Sequence, residues 1–110
     1  MAVKVPERGA WDERGWTRKV NNHHETYEGY YLVRGRQFRG RVEARDRRRE
    51  VAAYIYNPPP EIKRHAHHAC LQQVGNGWFI LHWARPARNV DDAILYMERV
   101  LDESLNGRRR

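Results

Sequence analysis

A single cysteine among 110 residues leaves this chain without an internal disulfide, and the expected setting is a reducing cytoplasm. Long apolar runs are also missing. The longest, Trp78 to Leu81, is strand-sized, which excludes a membrane-spanning helix from the expectation and makes a membrane an unexpected partner. The first sixteen residues, MAVKVPERGAWDERGW, lack the continuous apolar segment of a secretory signal. No internal repeat, low-complexity segment or ribonucleoprotein-type motif is visible. Nor is there a second cysteine or any paired ligand motif at a zinc spacing, so neither a metal nor a cofactor is expected.

What the chain has in excess is positive charge. With 21 Lys and Arg against 14 Asp and Glu, the formal charge is +7, and such a field attracts polyanions or acidic protein surfaces. Much of the excess is local, with eight arginines between Arg34 and Arg49 and three more at Arg108, Arg109 and Arg110. The terminal run reads as a solvated tail covering 107–110.

Residues 1–26 show neither strand nor helix periodicity and read as an extended arm that Trp11 and Trp16 pin to the body. The body, 27–106, begins with YEGYYLV and turns near Gly35. In the next strand Phe38, Gly40, Val42 and Ala44 alternate with Arg39, Arg41, Glu43 and Arg45, which makes one face apolar and the other charged. After the polar turn Asp46 to Arg49, EVAAYIY alternates Val51, Ala53 and Ile55 with Ala52, Tyr54 and Tyr56. Three prolines stop it at Pro58, and a short strand is expected at Glu61 to Lys63. ACLQQV and WFILHW flank Gly75-Asn76-Gly77, a hairpin signal. Asn89 is an N-cap, Asp91 and Asp92 fill a helical first turn, and Val90, Ala93, Ile94, Met97, Val100, Leu101 and Leu105 recur on one face until Asn106-Gly107. The expected fold class is α+β, an antiparallel meander with a C-terminal helix packed on the sheet.

The chemistry-bearing residues concentrate in NPPPEIKRHAHHACLQQVGNGWFILHW, from Asn57 to Trp83. Cys70 reads either as a nucleophile, activated by His65, His67, His68 or His82, or as a small buried hydrophobe. Alternation along an extended segment puts His68 and Cys70 on one face with His67 turned away, so His68 is the first choice of proton partner and His82, arriving across the turn, the second. His65, His67, His68 and Cys70 are zinc-competent ligand types without a zinc motif. Separately, Arg34, Arg36, Arg39 and Arg41, with Tyr30, Tyr31 and Phe38 nearby, have the makings of a phosphate-contacting and base-stacking sheet, and nucleic acid is the alternative partner.

Several of these residues resemble the ubiquitin-conjugating enzymes over about 27–105. YNPPPEI, Tyr56 to Ile62, is similar to the family's tyrosine and Pro-Pro passage, and His65 sits where its His-Pro-Asn motif begins. Cys70-Leu71 resembles the active-site Cys-Leu, Trp78 follows Cys70 at the family's interval, and Pro86 and the helix from Val90 resemble the proline and helix that come next. Ala66 and His67 replace the proline and asparagine of the motif, and the divergent bacterial members are the nearer likeness. The resemblance implies a UBC-like fold and a cytoplasmic acyl transferase. In it Cys70 accepts the C-terminus of a small ubiquitin-like or sulfur-carrier protein from its adenylating enzyme, and a histidine stands in for the asparagine. A non-catalytic interaction module on the same fold is a further alternative.

Overall fold

The computed structural model describes residues 9–45, 50–60, 62, 69–83 and 87–105, the side chains of Ala69, Cys70 and Trp83 excepted. Its elements are α1 (Ala10–Glu13), β1 (Thr17–Asn21), β2 (His24–Val33), β3 (Arg36–Arg45), β4 (Glu50–Tyr56), β5 (Ala69–Gly75), β6 (Trp78–Trp83) and α2 (Val90–Leu105). The class is α+β. Six strands form one antiparallel sheet in the order β1-β2-β3-β4-β6-β5, and α2 lies against β2, β3 and β4.

Turn chemistry sets the registers. Val33 pairs with Arg36 and Gly75 with Trp78, so each hairpin closes through two residues, Arg34-Gly35 and Asn76-Gly77. All four have positive φ (52° and 75°, 47° and 85°), the combination whose twist matches that of the flanking strands. The β4–β6 pairing, Tyr54 with Ile80 and Tyr56 with Trp78, then joins the second hairpin to the meander. Asn57, at φ 52°, donates its N–H to the Gly77 carbonyl (2.7 Å) and turns the chain into the prolines.

Along α2 the buried residues are Val90, Ala93, Ile94, Met97, Val100, Leu101 and Ser104, a stripe at helical spacing. Asn89 caps the helix, its Oδ1 accepting the Asp92 N–H (2.8 Å), while Asp92 Oδ2 accepts the Arg88 N–H (2.9 Å). Against this stripe the sheet sets Tyr27, Tyr31, Val42, Ala53, Ile55 and Leu81, each essentially inaccessible. At the centre of that inner face Gly29 and Gly40 stand opposite each other in the β2–β3 register. Two aromatic rings occupy the space their missing side chains leave. A Cβ on Gly29 would lie 2.5 Å from the Trp16 indole, and one on Gly40 would lie 2.1 Å from the Tyr31 ring. Trp16 and Tyr31 meet edge to face at 5.1 Å, the Trp16 Nε1–H donates to the Tyr30 carbonyl (3.1 Å), and the Tyr31 hydroxyl reaches across β3 to the Tyr54 carbonyl (2.8 Å).

The stretch read from sequence as an extended arm is part of the fold from Gly9 onward, which corrects that reading. Residues 17–21 form the edge strand β1, and His24 to Thr26 already belong to β2. Periodicity failed to reveal β1 because all five of its residues are exposed, so it has no apolar face to alternate. Lys19 and Arg18 keep this free edge charged, which discourages pairing with another chain. Trp11 and Trp16 do pin the segment to the body, Trp11 by a ring contact with Tyr27 (5.2 Å) and an N–H bond to Asp91 Oδ1 (3.1 Å). A further tie runs through Glu98, whose carboxylate accepts both Arg14 Nε and Nη2 (2.7 and 2.8 Å) and the Leu32 N–H (2.9 Å). The strand expected at Glu61 to Lys63 lies outside the described residues except for Ile62, which, like Pro60, is helical rather than extended; Ile62 is buried and donates its N–H to the Pro59 carbonyl (3.0 Å). Residues 106–110, with the expected helix stop and basic tail, also lie outside them.

Gly40→Ala forces a methyl into the Tyr31 ring and is expected to lower stability by about 1–3 kcal/mol, the usual cost of overpacking. Urea denaturation reads this as a lower midpoint at unchanged slope; an unchanged midpoint would mean that the ring moves aside freely.

Candidate functional site

With α2 covering one face of the sheet, alternate residues of β2, β3, β4 and β6 point to the other face, which no other described element covers. The β2–β3–β4–β6 registers arrange them in rows across the strands. One row holds Tyr30, Arg39, Tyr56 and Trp78; the next holds Glu28, Arg41, Tyr54, Ile80 and Gln72. Two arginines and three aromatic rings consequently form one cluster. The Arg39 guanidinium lies 5.4 Å from the Tyr56 ring centroid and 5.6 Å from that of Trp78, and Arg41 lies 5.1 Å from Tyr54 and 4.7 Å from Trp78. Tyr56 and Trp78 are 5.2 Å apart with planes tilted by 58°. These are cation–π distances, and each guanidinium bridges two rings. Tyr30, 48% exposed, extends the row toward β2.

Beyond this cluster the face turns acidic. Glu43 sits among Arg41 Nε (3.3 Å), Arg45 Nη2 (3.6 Å), His24 Nε2 (3.8 Å) and the Tyr54 hydroxyl, which donates at 3.5 Å. All four contacts are longer than a tight charge-assisted hydrogen bond, and His24 Nε2 and Arg41 Nε, though shielded from solvent, have no hydrogen-bond partner. Glu43 is therefore held by charge and keeps capacity to accept donors. Burial, and then the Glu43 charge, raise the Tyr54 phenol above its ordinary range, while Arg45 and Arg41 work in the opposite direction. Among the described residues the side chains of Lys19, Arg36, Arg39 and Arg88 have no carboxylate partner, and of these Lys19 and Arg39 stand on the open face.

The arginines singled out in the sequence do not act together. Arg39 and Arg41 share the open face, whereas Arg34 occupies the β2–β3 turn with its Nε on Asp102 Oδ1 of α2 (2.6 Å), and Arg36 packs over Phe38 (5.0 Å). Two of the three aromatics expected beside them, Tyr31 and Phe38, are buried on the inner face. Tyr54 and Tyr56 take their place; the alternation of EVAAYIY already set them on one side. Trp78 was not readable as their neighbour, because its position depends on β6 pairing with β4 across a sequence gap.

His65, His67 and His68 lie outside the described residues. Cys70 is on β5, opposite His82 in the β5–β6 register. His82 is exposed, and its Nε2 is 2.6 Å from Gln72 Oε1; with that oxygen accepting, Nε2 carries the proton and Nδ1 is the basic nitrogen. Among the described residues no group of three or more His, Cys, Asp or Glu could hold a metal ion, and no helix is long and apolar enough to cross a membrane. Comparison of the chain with protein-family models, with curated proteins and with solved structures finds no match.

Ultraviolet difference titration against Tyr54→Phe is expected to place the Tyr54 ionisation above pH 10. Glu43→Gln should bring it down toward 10 and Arg41→Gln should drive it further up. Because the folded value is raised, the stability this phenol contributes is complete below pH 10 and is lost as pH rises through the folded value. A Tyr54 ionisation indifferent to both substitutions would remove Glu43 and Arg41 from its environment.

Proposed function

We propose that the protein binds single-stranded nucleic acid on the open face of its sheet. The observation that carries this reading is the cluster in which Arg39 and Arg41 lie over Tyr54, Tyr56 and Trp78 on adjacent strands. Unstacked bases pair with aromatic rings and guanidinium planes, and backbone phosphates with cations. A row from Tyr30 to Trp78 crosses four strands, roughly 14 Å at the usual strand spacing, room for two or three stacked bases. The formal charge of +7 brings a polyanion to the surface. With Arg41 and Arg45 already facing Glu43, stacking supplies more of the affinity than phosphate contacts do.

Binding of a short labelled oligouridine, followed by fluorescence anisotropy, is expected to weaken by about 5- to 150-fold in Trp78→Ala, the loss of one stacked base. With Arg39 and Lys19 the cations of this face outside ion pairs among the described residues, the slope of log affinity against log salt is expected at about −1.4. The Arg39→Gln/Arg41→Gln double variant should weaken binding and flatten the salt slope, and Cys70→Ala should leave affinity intact. Oligonucleotide affinity unaffected by Trp78→Ala and by the double variant would refute the reading.

A second reading, an acyl carrier on a UBC-like fold, is favoured by one observation, the register that sets Cys70 opposite His82. Here Cys70 takes the C-terminus of a ubiquitin-like or sulfur-carrier protein from its adenylating enzyme as a thioester and passes it to an amine. His68, His82, His67 or His65 serves as proton acceptor or oxyanion donor. On this reading the thiol reacts with iodoacetamide with a midpoint below the ordinary cysteine pKa of about 8.5, and His68→Ala or His82→Ala raises it. An unchanged midpoint in both variants would leave Cys70 without an activating base.

A further inference from the structure

The open face has a depression of about 230 Å³ next to the stacking cluster, and its origin is a single small residue. On the outward side of β4 the order is Tyr56, Tyr54, Ala52, Glu50, so Ala52 leaves a gap between a ring and a carboxylate. Glu43 faces Ala52 across the β3–β4 register, and Arg45 faces Glu50. The walls are thus the Tyr54 ring and Ile80 on the side of the cluster, and two carboxylates and a guanidinium on the other. Glu50 is exposed and has no ion-pair partner among the described residues; Glu43 is held only by contacts of 3.3–3.8 Å.

From this lining we infer that the depression selects guanine from the bound strand, an inference that rests on the nucleic-acid reading above. Guanine alone among the four bases of RNA presents two adjacent N–H donors, N1–H and the N2 amine, with no acceptor between them, and these match the two oxygens of one carboxylate. Its O6 and N7 lie along the next edge and accept from a guanidinium, the commonest specific arginine contact to a base. Adenine and cytosine offer one amine beside a bare ring nitrogen, and uracil offers one N–H flanked by two carbonyls. Each of them would therefore turn a lone pair toward the carboxylate, so rejection is built from repulsion as well as from missing bonds. Glu50, exposed and without an ion-pair partner among the described residues, takes the Watson–Crick edge; Arg45 takes the O6 and N7 side, and the Tyr54 ring provides the apolar wall. The depression continues the stacking rows, so the selected base is a neighbour of the stacked ones.

The test is fluorescence anisotropy at one fixed salt concentration with labelled eight-nucleotide oligouridines carrying a single central guanine, adenine, cytosine or inosine, beside the all-uridine strand. The guanine strand is expected to bind about 5- to 150-fold more tightly than the adenine and cytosine strands, the range for one bidentate base contact. Inosine, which keeps N1–H and O6 but lacks the N2 amine, should fall between. Glu50→Gln, and independently Ala52→Val, which fills the gap with a residue suited to a strand, should erase the guanine preference while leaving all-uridine affinity unchanged. Equal affinity for all strands in the unsubstituted protein, with all-uridine still bound, overturns guanine selection and leaves the stacking face standing. Failure of every strand to bind overturns both.

Discussion

The pair of opposed glycines at the centre of the inner sheet face, Gly29 on β2 and Gly40 on β3, is the constraint on which the rest of the structure depends. Without side chains there, the sheet has a trough that two large rings can enter edgewise, and Trp16 and Tyr31 fill it. Trp16 thereby fastens the segment that leads from α1 into β1. Tyr31 spans β3 to bond the β4 carbonyl of Tyr54, locking three strands with one side chain. Its phenol is fully buried, and burial together with the Glu98 charge raises it well above the ordinary range.

Glu98 complements the trough from the helix side. Its carboxylate ties α1, through Arg14, and the end of β2, through the Leu32 amide, to α2. Its side chain is 11% exposed and that of Arg14 17%, so the pair is only weakly screened by solvent, and the Arg14 guanidinium is stabilised in its charged form chiefly by this bond. Residues 11–16 are in this way held by polar contacts from Trp11 and Arg14 and by the packing of the Trp11 and Trp16 indoles.

Among the described residues one helix covers one face of the sheet and no element covers the other, and the composition of that open face follows from alternation. Most residues that face away from α2 are polar or amphipathic, arginine, tyrosine, tryptophan and glutamate among them, with Ile80 and Ala52 as apolar exceptions. Arginines laid on rings shield the aromatic surface from water while remaining displaceable by a flat ligand. Acidic residues next to the cluster, Glu43 and Glu50, give the face a chemical gradient from stacking to hydrogen bonding.

The α+β class, the two faces of β3 and β4, the Asn76-Gly77 turn, and the Asn89 cap with its buried stripe were all legible, because each is written in local spacing: period two, period three to four, a positive-φ pair, a side-chain acceptor before a helix. The edge strand β1 was not, since an all-exposed strand is recognised only by its partner. Nor were the trough and its rings, which need β2 and β3 in register before either glycine has meaning. The rows of the open face likewise required the pairing of β4 with β6, two strands apart in sequence, to bring Trp78 to Tyr56. The sequence by itself determined which residues face the helix and which face away, because strand and helix geometry impose that on every chain with such a pattern. Which outward residues became neighbours, and so whether Arg39 met Trp78 or stood alone, was decided only by strand order and register, long-range choices that no local spacing encodes.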